Sequence, residues 1–190
     1  MTVLPPLPVE IVTQPARLDA AVKAMLSCKE IALDTESNSF FRYPEQLCLI
    51  QINTRHKVYV IDTILLREIA SLKEVLADAS IIKIVHGADY DIRSLDRHYR
   101  FHVRNLYDTN IAARFAGLTR VGLAALIEDL LGVTIPKSKR LQRADWGRRP
   151  LSAEAVAHVI AELGREAEAA SKLSLRLGTL ADRLRDAALS

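Results

Sequence analysis

Three apolar, β-branched stretches follow one another between residues 30 and 63 with only short polar links: EIALDTE, QLCLIQIN and KVYVIDT. Consecutive strands with short connections pair antiparallel, because a parallel crossover needs a dozen or more residues. After this meander the pattern changes to helix, strand, helix, as IASLKEVLAD, IIKIVHG and DYDIRSLDRHY. A buried strand reached through a helix joins its sheet in parallel, so the sheet is predicted to be mixed. Ahead of the meander, VEIVT reads as a short strand and PARLDAAVKAML as a helix with proline near its first turn. Beyond Asp108 nearly everything is helical: NIAARFAGL, then VGLAALIEDLLG, then a helix opening near Ser152 as N-cap, with Leu151 and Val156 at the spacing of a hydrophobic staple. A last helix carries Leu173, Leu177, Leu180 and Leu184 on one stripe, which is expected to pack rather than catalyse. The expected class is α/β, a mixed sheet of about five or six strands flanked by helices, with a helical C-terminal part.

With 190 residues, 49% of them hydrophobic and 26% charged, the chain can bury a sizeable core. Repeats, low-complexity tracts and Gly/Ser linkers are absent, so a single domain over residues 1–190 is expected, with the proline-rich residues 1–8 as a flexible lead-in. No apolar run approaches a membrane span, and MTVLPPLPVE lacks the layout of a signal peptide; a cytoplasmic protein without a membrane partner is expected. Cys28 and Cys48 sit in apolar stretches without CxxC spacing and read as core thiols. The net charge of +3 is small but uneven. Residues 137–149 hold Lys137, Lys139, Arg140, Arg143, Arg148 and Arg149 against one acid, Asp145.

Asp34 and Glu36 are the first candidates for chemistry. They lie two apart on a strand, so alternation puts both carboxylates on one face of the sheet, where they repel unless a cation joins them. A strand end running into solvent is the plainer alternative. His86, Asp89 and Asp91 cluster after the IIKIV strand, at a strand carboxyl end of the kind that α/β proteins use for ligands. There Asp89 also suits an N-cap, and His86 a hydrogen-bonded turn residue. Asp108, heading DTNIAARF, is read as an N-cap. His158 and Glu162 stand four apart on one helix face, the spacing of an ordinary surface pair as well as of a functional one. Trp146 beside Arg140, Arg143, Arg148 and Arg149 suits a nucleic-acid groove, with charge for phosphates and a plane for a base; it equally suits a core anchor for that loop.

Taken in order, IALDTES with LIQI, IVHGADYDIRSL, YDTNIAARFAGL and GVTIPKSKRLQRADWGRRPLS resemble the successive motifs of the DEDD 3′–5′ exonucleases, the ribonuclease D branch above all. The likeness runs from about Ile11 to the helix after Pro150. It implies a ribonuclease H-like fold, without room for the helical accessory domain of longer family members. By position it implies that Asp34 and Glu36 match the first-motif pair and Asp91 the second-motif aspartate. In the third motif the chain departs, with His158 and Glu162 where the branch has tyrosine and, four residues later, aspartate. Histidine serves the other DEDD branch from five residues ahead of the aspartate; here the spacing is the tyrosine one.

The resemblance implies that Asp34, Glu36, Asp91 and Glu162 hold two Mg²⁺ or Mn²⁺ ions and that His158 positions the attacking water. His86, Arg140, Arg143, Trp146, Arg148 and Arg149 would meet the nucleic acid. The expected activity is release of nucleoside 5′-monophosphates from the 3′ end of RNA or single-stranded DNA, by a monomer or weak homodimer. The alternatives are a catalytically impaired pseudonuclease that binds nucleic acid or a protein through the same fold, favoured by the altered third motif, and an unrelated α/β metal-dependent phosphohydrolase or small-molecule binding domain.

Overall fold

The computed structural model describes residues 7–134, 143–158 and 172–173. Glu162, Arg140, Leu177, Leu180 and Leu184 lie outside the described residues. Among the described residues six strands form one sheet: β1 (Val9–Val12), β2 (Glu30–Ser37), β3 (Leu47–Asn53), β4 (Val58–Asp62), β5 (Ile82–Val85) and β6 (Leu106–Asp108), in the order β1-β4-β3-β2-β5-β6. The β2–β3 and β3–β4 pairs are antiparallel, as the short links of the meander require. The β1–β4, β2–β5 and β5–β6 pairs are parallel, so the sheet is mixed. Three-residue β6 is too short for any periodicity to announce it.

Among the described residues five helices are delimited: α1 (Pro15–Leu26), α2 (Leu72–Ala77), α3 (Asp89–Tyr99), α4 (Thr109–Phe115) and α5 (Leu123–Leu131). Residues 153–158 are also helical, and Ser152 caps them, its Oγ accepting the Ala155 amide at 3.1 Å. The entry to α3 needs Gly87, whose φ of +70° reverses the chain just beyond β5 at no steric cost.

Both sheet faces are covered. On one, Ile31 and Leu33 of β2, Ile50 and Ile52 of β3 and Val85 of β5 pack with Leu18, Met25, Leu72, Leu76 and Leu95 of the helices. Lys83 shares that face, fully buried, and its Nζ donates to the carbonyls of Asp78 at 2.5 Å and Val75 at 3.4 Å, closing the C-terminal end of α2. On the other face, Ala32, Leu49, Val58, Val60 and Ile84 pack with Trp146 and Ala155. Leu173 is fully buried against Ala113 and Leu126, a packing role for this member of the leucine stripe. Among the described residues no helix is long and apolar enough to cross a membrane.

Candidate active site

β2 carries the acidic pair, and its neighbours identify the face. Ala32 packs in the Trp146 cluster, and alternation puts Asp34 and Glu36 on the same side as Ala32. Both carboxylates are partly buried. Across the strand pair, Asp34 faces Gln51 and Glu36 faces Leu49. Gln51 is almost wholly buried, and its Nε2 has no hydrogen-bond partner.

His158 is 8% exposed, and its ring stacks on Trp146 with centroids 6.5 Å apart and planes at 17°. Because Trp146 belongs to the Ala32 cluster, His158 lies on the side of the sheet that bears Asp34 and Glu36. A helix residue and a strand pair more than a hundred positions apart are thereby brought to one face. The sequence spacing alone left His158 open as a surface residue.

Asp91 approaches β2 from the other face. It lies in the first turn of α3, and its Oδ1 accepts a hydrogen bond from the hydroxyl of Thr35, the residue between Asp34 and Glu36. Burial pushes the Asp91 carboxyl up to about 6, with a further upward push from the charge of Asp108, while the Thr35 hydroxyl pulls it down. Among the described residues no group of three or more His, Cys, Asp or Glu side chains is arranged to hold a metal ion. Thr35 meets α3 through Asp91, and alternation sets Asp34 and Glu36 on the other side of β2. The described residues thus offer a hard two-carboxylate half-site, chemically fit for a divalent ion with oxygen ligands, and a third carboxylate at the strand's opposite side.

Asp108 takes the structural role read for it, and more. As N-cap of α4 it accepts from the amides of Asn110 and Ile111 at 2.8 and 3.2 Å. It also accepts from Gly87 and Ala88 at 3.0 and 2.9 Å, closing the turn into α3. Burial pushes its carboxyl up, but these four amides outweigh it and hold the group below its usual range. His86 bonds through Nδ1 to the Thr109 hydroxyl at 2.9 Å, the turn role that its position suggested. Burial pushes its imidazole down against the opposing charge of Asp108. Asp89 is not the N-cap of α3, which is Ala88; its carboxylate pairs with Arg93 one turn on.

The basic segment divides. Arg143 and Arg148 are exposed and line a cleft of about 660 Å³ with Phe41 and Trp146. Two residues expected at the nucleic acid, Trp146 and Arg149, also line this cleft but are engaged by the protein itself. Trp146 is 2% exposed, so it offers no free face to a base and is the core anchor instead. Arg149 is spent on the protein, its Nε and Nη2 donating to both oxygens of buried Asp62 at 2.5 and 2.8 Å. Neither Thr35 nor Asp62 was singled out from the sequence. Gln51 carried a signal that went unused, a polar residue in a strand otherwise apolar up to its end.

A mixed sheet with helices on both faces and an acid pair on the inner strand β2, antiparallel to β3 and parallel to β5, defines an α/β nuclease-type fold. A family model described as 3′-5′ exonuclease matches residues 9–158, and the chain belongs to that family, in its ribonuclease D-like, DEDD-superfamily form. A second family model, for the archaeal LonB AAA+ ATPase LID domain, matches residues 150–189 only. The exosome complex exonuclease RRP6 of Saccharomyces cerevisiae is 39% identical over 146 residues, which are 76% of this chain and 20% of that protein. The catalytic core of RRP6 from Trypanosoma brucei superposes with a TM-score of 0.83 at 29% identity, covering 94% of this chain and 49% of that one. Escherichia coli RNase D, an exoribonuclease involved in structured RNA processing, gives 0.82 at 28%, covering 90% and 45%. NrnC of Brucella melitensis with bound Mg²⁺ shares the fold at a TM-score of 0.70 and 24% identity, covering 80% and 75%. The chain thus matches about a fifth of its yeast relative's length and about half of each of the first two solved structures.

Proposed function

We propose that this chain is a 3′–5′ exonuclease domain that releases nucleoside 5′-monophosphates from the 3′ end of RNA or single-stranded DNA. The observation that carries the reading is the placement of Asp34 and Glu36 on the sheet face where Trp146 holds His158. Asp34, Glu36, Asp91 and Glu162 would hold two Mg²⁺ or Mn²⁺ ions, hard cations suited to carboxylate oxygens. When bound, such ions lower the pKa of a water and stabilise the attacking and leaving oxygens of an in-line displacement at phosphorus.

In this reading the imidazole of His158 holds the attacking water and takes up its proton. Arg143 and Arg148 bind upstream phosphates in the cleft, and Arg140 and His86 are further nucleic-acid contacts. The described residues make one sheet covered on both faces, which supports a single exonuclease-type domain. The free thiols of Cys28 and Cys48 support a reducing, cytoplasmic setting. The domain acts as a monomer or weak homodimer.

The decisive assay is mononucleotide release from 3′-labelled single-stranded RNA with Mg²⁺, with Mn²⁺ and with EDTA. Metal-dependent release of single nucleotides from the 3′ end supports the proposal. Tight RNA binding with no release in either metal overturns it in favour of a pseudonuclease.

A further inference from the structure

Arg149 was read from the sequence as one more phosphate ligand, yet its guanidinium is spent on the protein. Besides forking Asp62, its Nη1 donates to the carbonyls of Trp146 at 2.7 Å and Arg148 at 2.9 Å, and its Nη2 to that of Cys48 at 3.2 Å. Only a planar guanidinium can meet a carboxylate through two parallel bonds and still reach carbonyls on its outer edge. Asp62 is itself immobilised. It is 1% exposed at the end of β4, and its Oδ1 accepts from the amides of Ile64 and Leu65, both at 3.1 Å.

The acceptor that matters is the carbonyl of Trp146. The indole has no hydrogen bond of its own, since Nε1 is buried without a partner, so its place is set by packing and by its backbone. The backbone there lies close against the end of β2. A Cβ added at Gly147 would stand 2.9 Å from Nδ2 of Asn38, two residues beyond Glu36. Sheet, carboxylate, guanidinium, tryptophan backbone and indole thus form one chain of contacts that ends on the ring of His158.

We propose that Asp62 and Arg149 are positioning residues: through Trp146 they fix the ring of His158 relative to Asp34 and Glu36. The inference rests on the reading of His158 as the group that holds the attacking water. Neither Asp62 nor Arg149 touches substrate in it.

The test compares the parent with Arg149→Lys and Asp62→Asn. Trp146 is the only tryptophan of the chain, so intrinsic fluorescence reports its burial directly. The ¹³C-labelled His158 ring signals, assigned by their loss in His158→Gln, report the stack through the ring-current shift of the indole. In folded Arg149→Lys the His158 signals should move toward unstacked positions and the emission should shift to the red. On RNA, kcat should fall about ten- to a hundred-fold with KM held within about twofold, the pattern of misplaced catalytic geometry rather than lost binding. Asp62→Asn should do the same more weakly, because its Oδ1 can still accept, and it serves as the test if the lysine variant does not fold. Unchanged His158 signals in a variant with reduced kcat overturn the proposal, as does unchanged kcat in a variant whose His158 signals have moved. A parent inert on RNA whose His158 signals nonetheless respond to Arg149→Lys supports the link from Arg149 to His158 and defeats the nuclease reading instead.

Discussion

The two faces of the sheet treat their polar groups differently. On the α3 face Lys83 is satisfied by carbonyls at the end of α2, and Asp91 by Thr35. On the Trp146 face Gln51 Nε2, Tyr107 Oη and Trp146 Nε1 are buried without hydrogen-bond partners, and Asp34 and Glu36 stand beside them. A buried polar atom left unpaired costs on the order of 1–3 kcal/mol. A face that served only to close the core would not need to carry three. The contrast assigns folding to the first face and chemistry to the second.

The sharpest way to break that contrast is Trp146→Ala. If the ring is a core anchor, the change should lower unfolding free energy by about 3–5 kcal/mol in urea. A cost under about 1 kcal/mol would return Trp146 to the surface role. Next in size, Asp34→Asn or Glu36→Gln should reduce nucleotide release at least about a hundred-fold, since each removes a metal-facing carboxylate. Both variants should unfold at nearly the parent's urea midpoint. Activity surviving in either would unseat the acid pair as the centre of the site.

On the opposite face the balance should invert. Thr35→Val removes a buried hydrogen bond to a carboxylate and should cost about 1.5–3 kcal/mol of stability, read from the urea midpoint. Asp91 also predicts a pH effect. Its carboxyl is raised from 3.8 to about 6, so between those values the folded state holds more protons than the unfolded one, and stability falls as pH rises through that window. Asp91→Asn should flatten that decline in thermal unfolding measured from pH 4 to 7. His86 works in the other sense: its lowered pKa makes stability fall as pH drops below its unfolded value, a weaker effect that His86→Gln should remove.

The smallest effect separates the arginines. RNA binding should weaken with salt, and Arg143→Ala and Arg148→Ala should each reduce the slope of log K on log salt by about 0.7, the value for one phosphate contact on a single strand. Loss of slope in Arg149→Lys, with Asp62 still engaged, would put that residue back among the phosphate ligands.

Much of this was legible in the chain itself because it depends on near neighbours. Alternation along EIALDTE identifies Asp34 and Glu36 as face-mates without any partner strand. Short links dictate the antiparallel meander, and Asp108 and Ser152 announce their helices through the amides two or three residues on. What tertiary structure alone decided is which side chains are left free after packing. Trp146 and Arg149 look like surface recognition residues until Asp62, 87 positions away from Arg149, supplies a buried carboxylate. Asp108 reads as a cap for one helix, yet serves two turns, because β6 lays it beside Gly87. Asp91 sits five residues past His86 as the motif requires, but only the packing of α3 on β2 determines that it meets the Thr35 hydroxyl. Local periodicity and capping act over a few residues and survive in the sequence; desolvation and ion pairing act across the sheet, where sequence distance carries no information about contact.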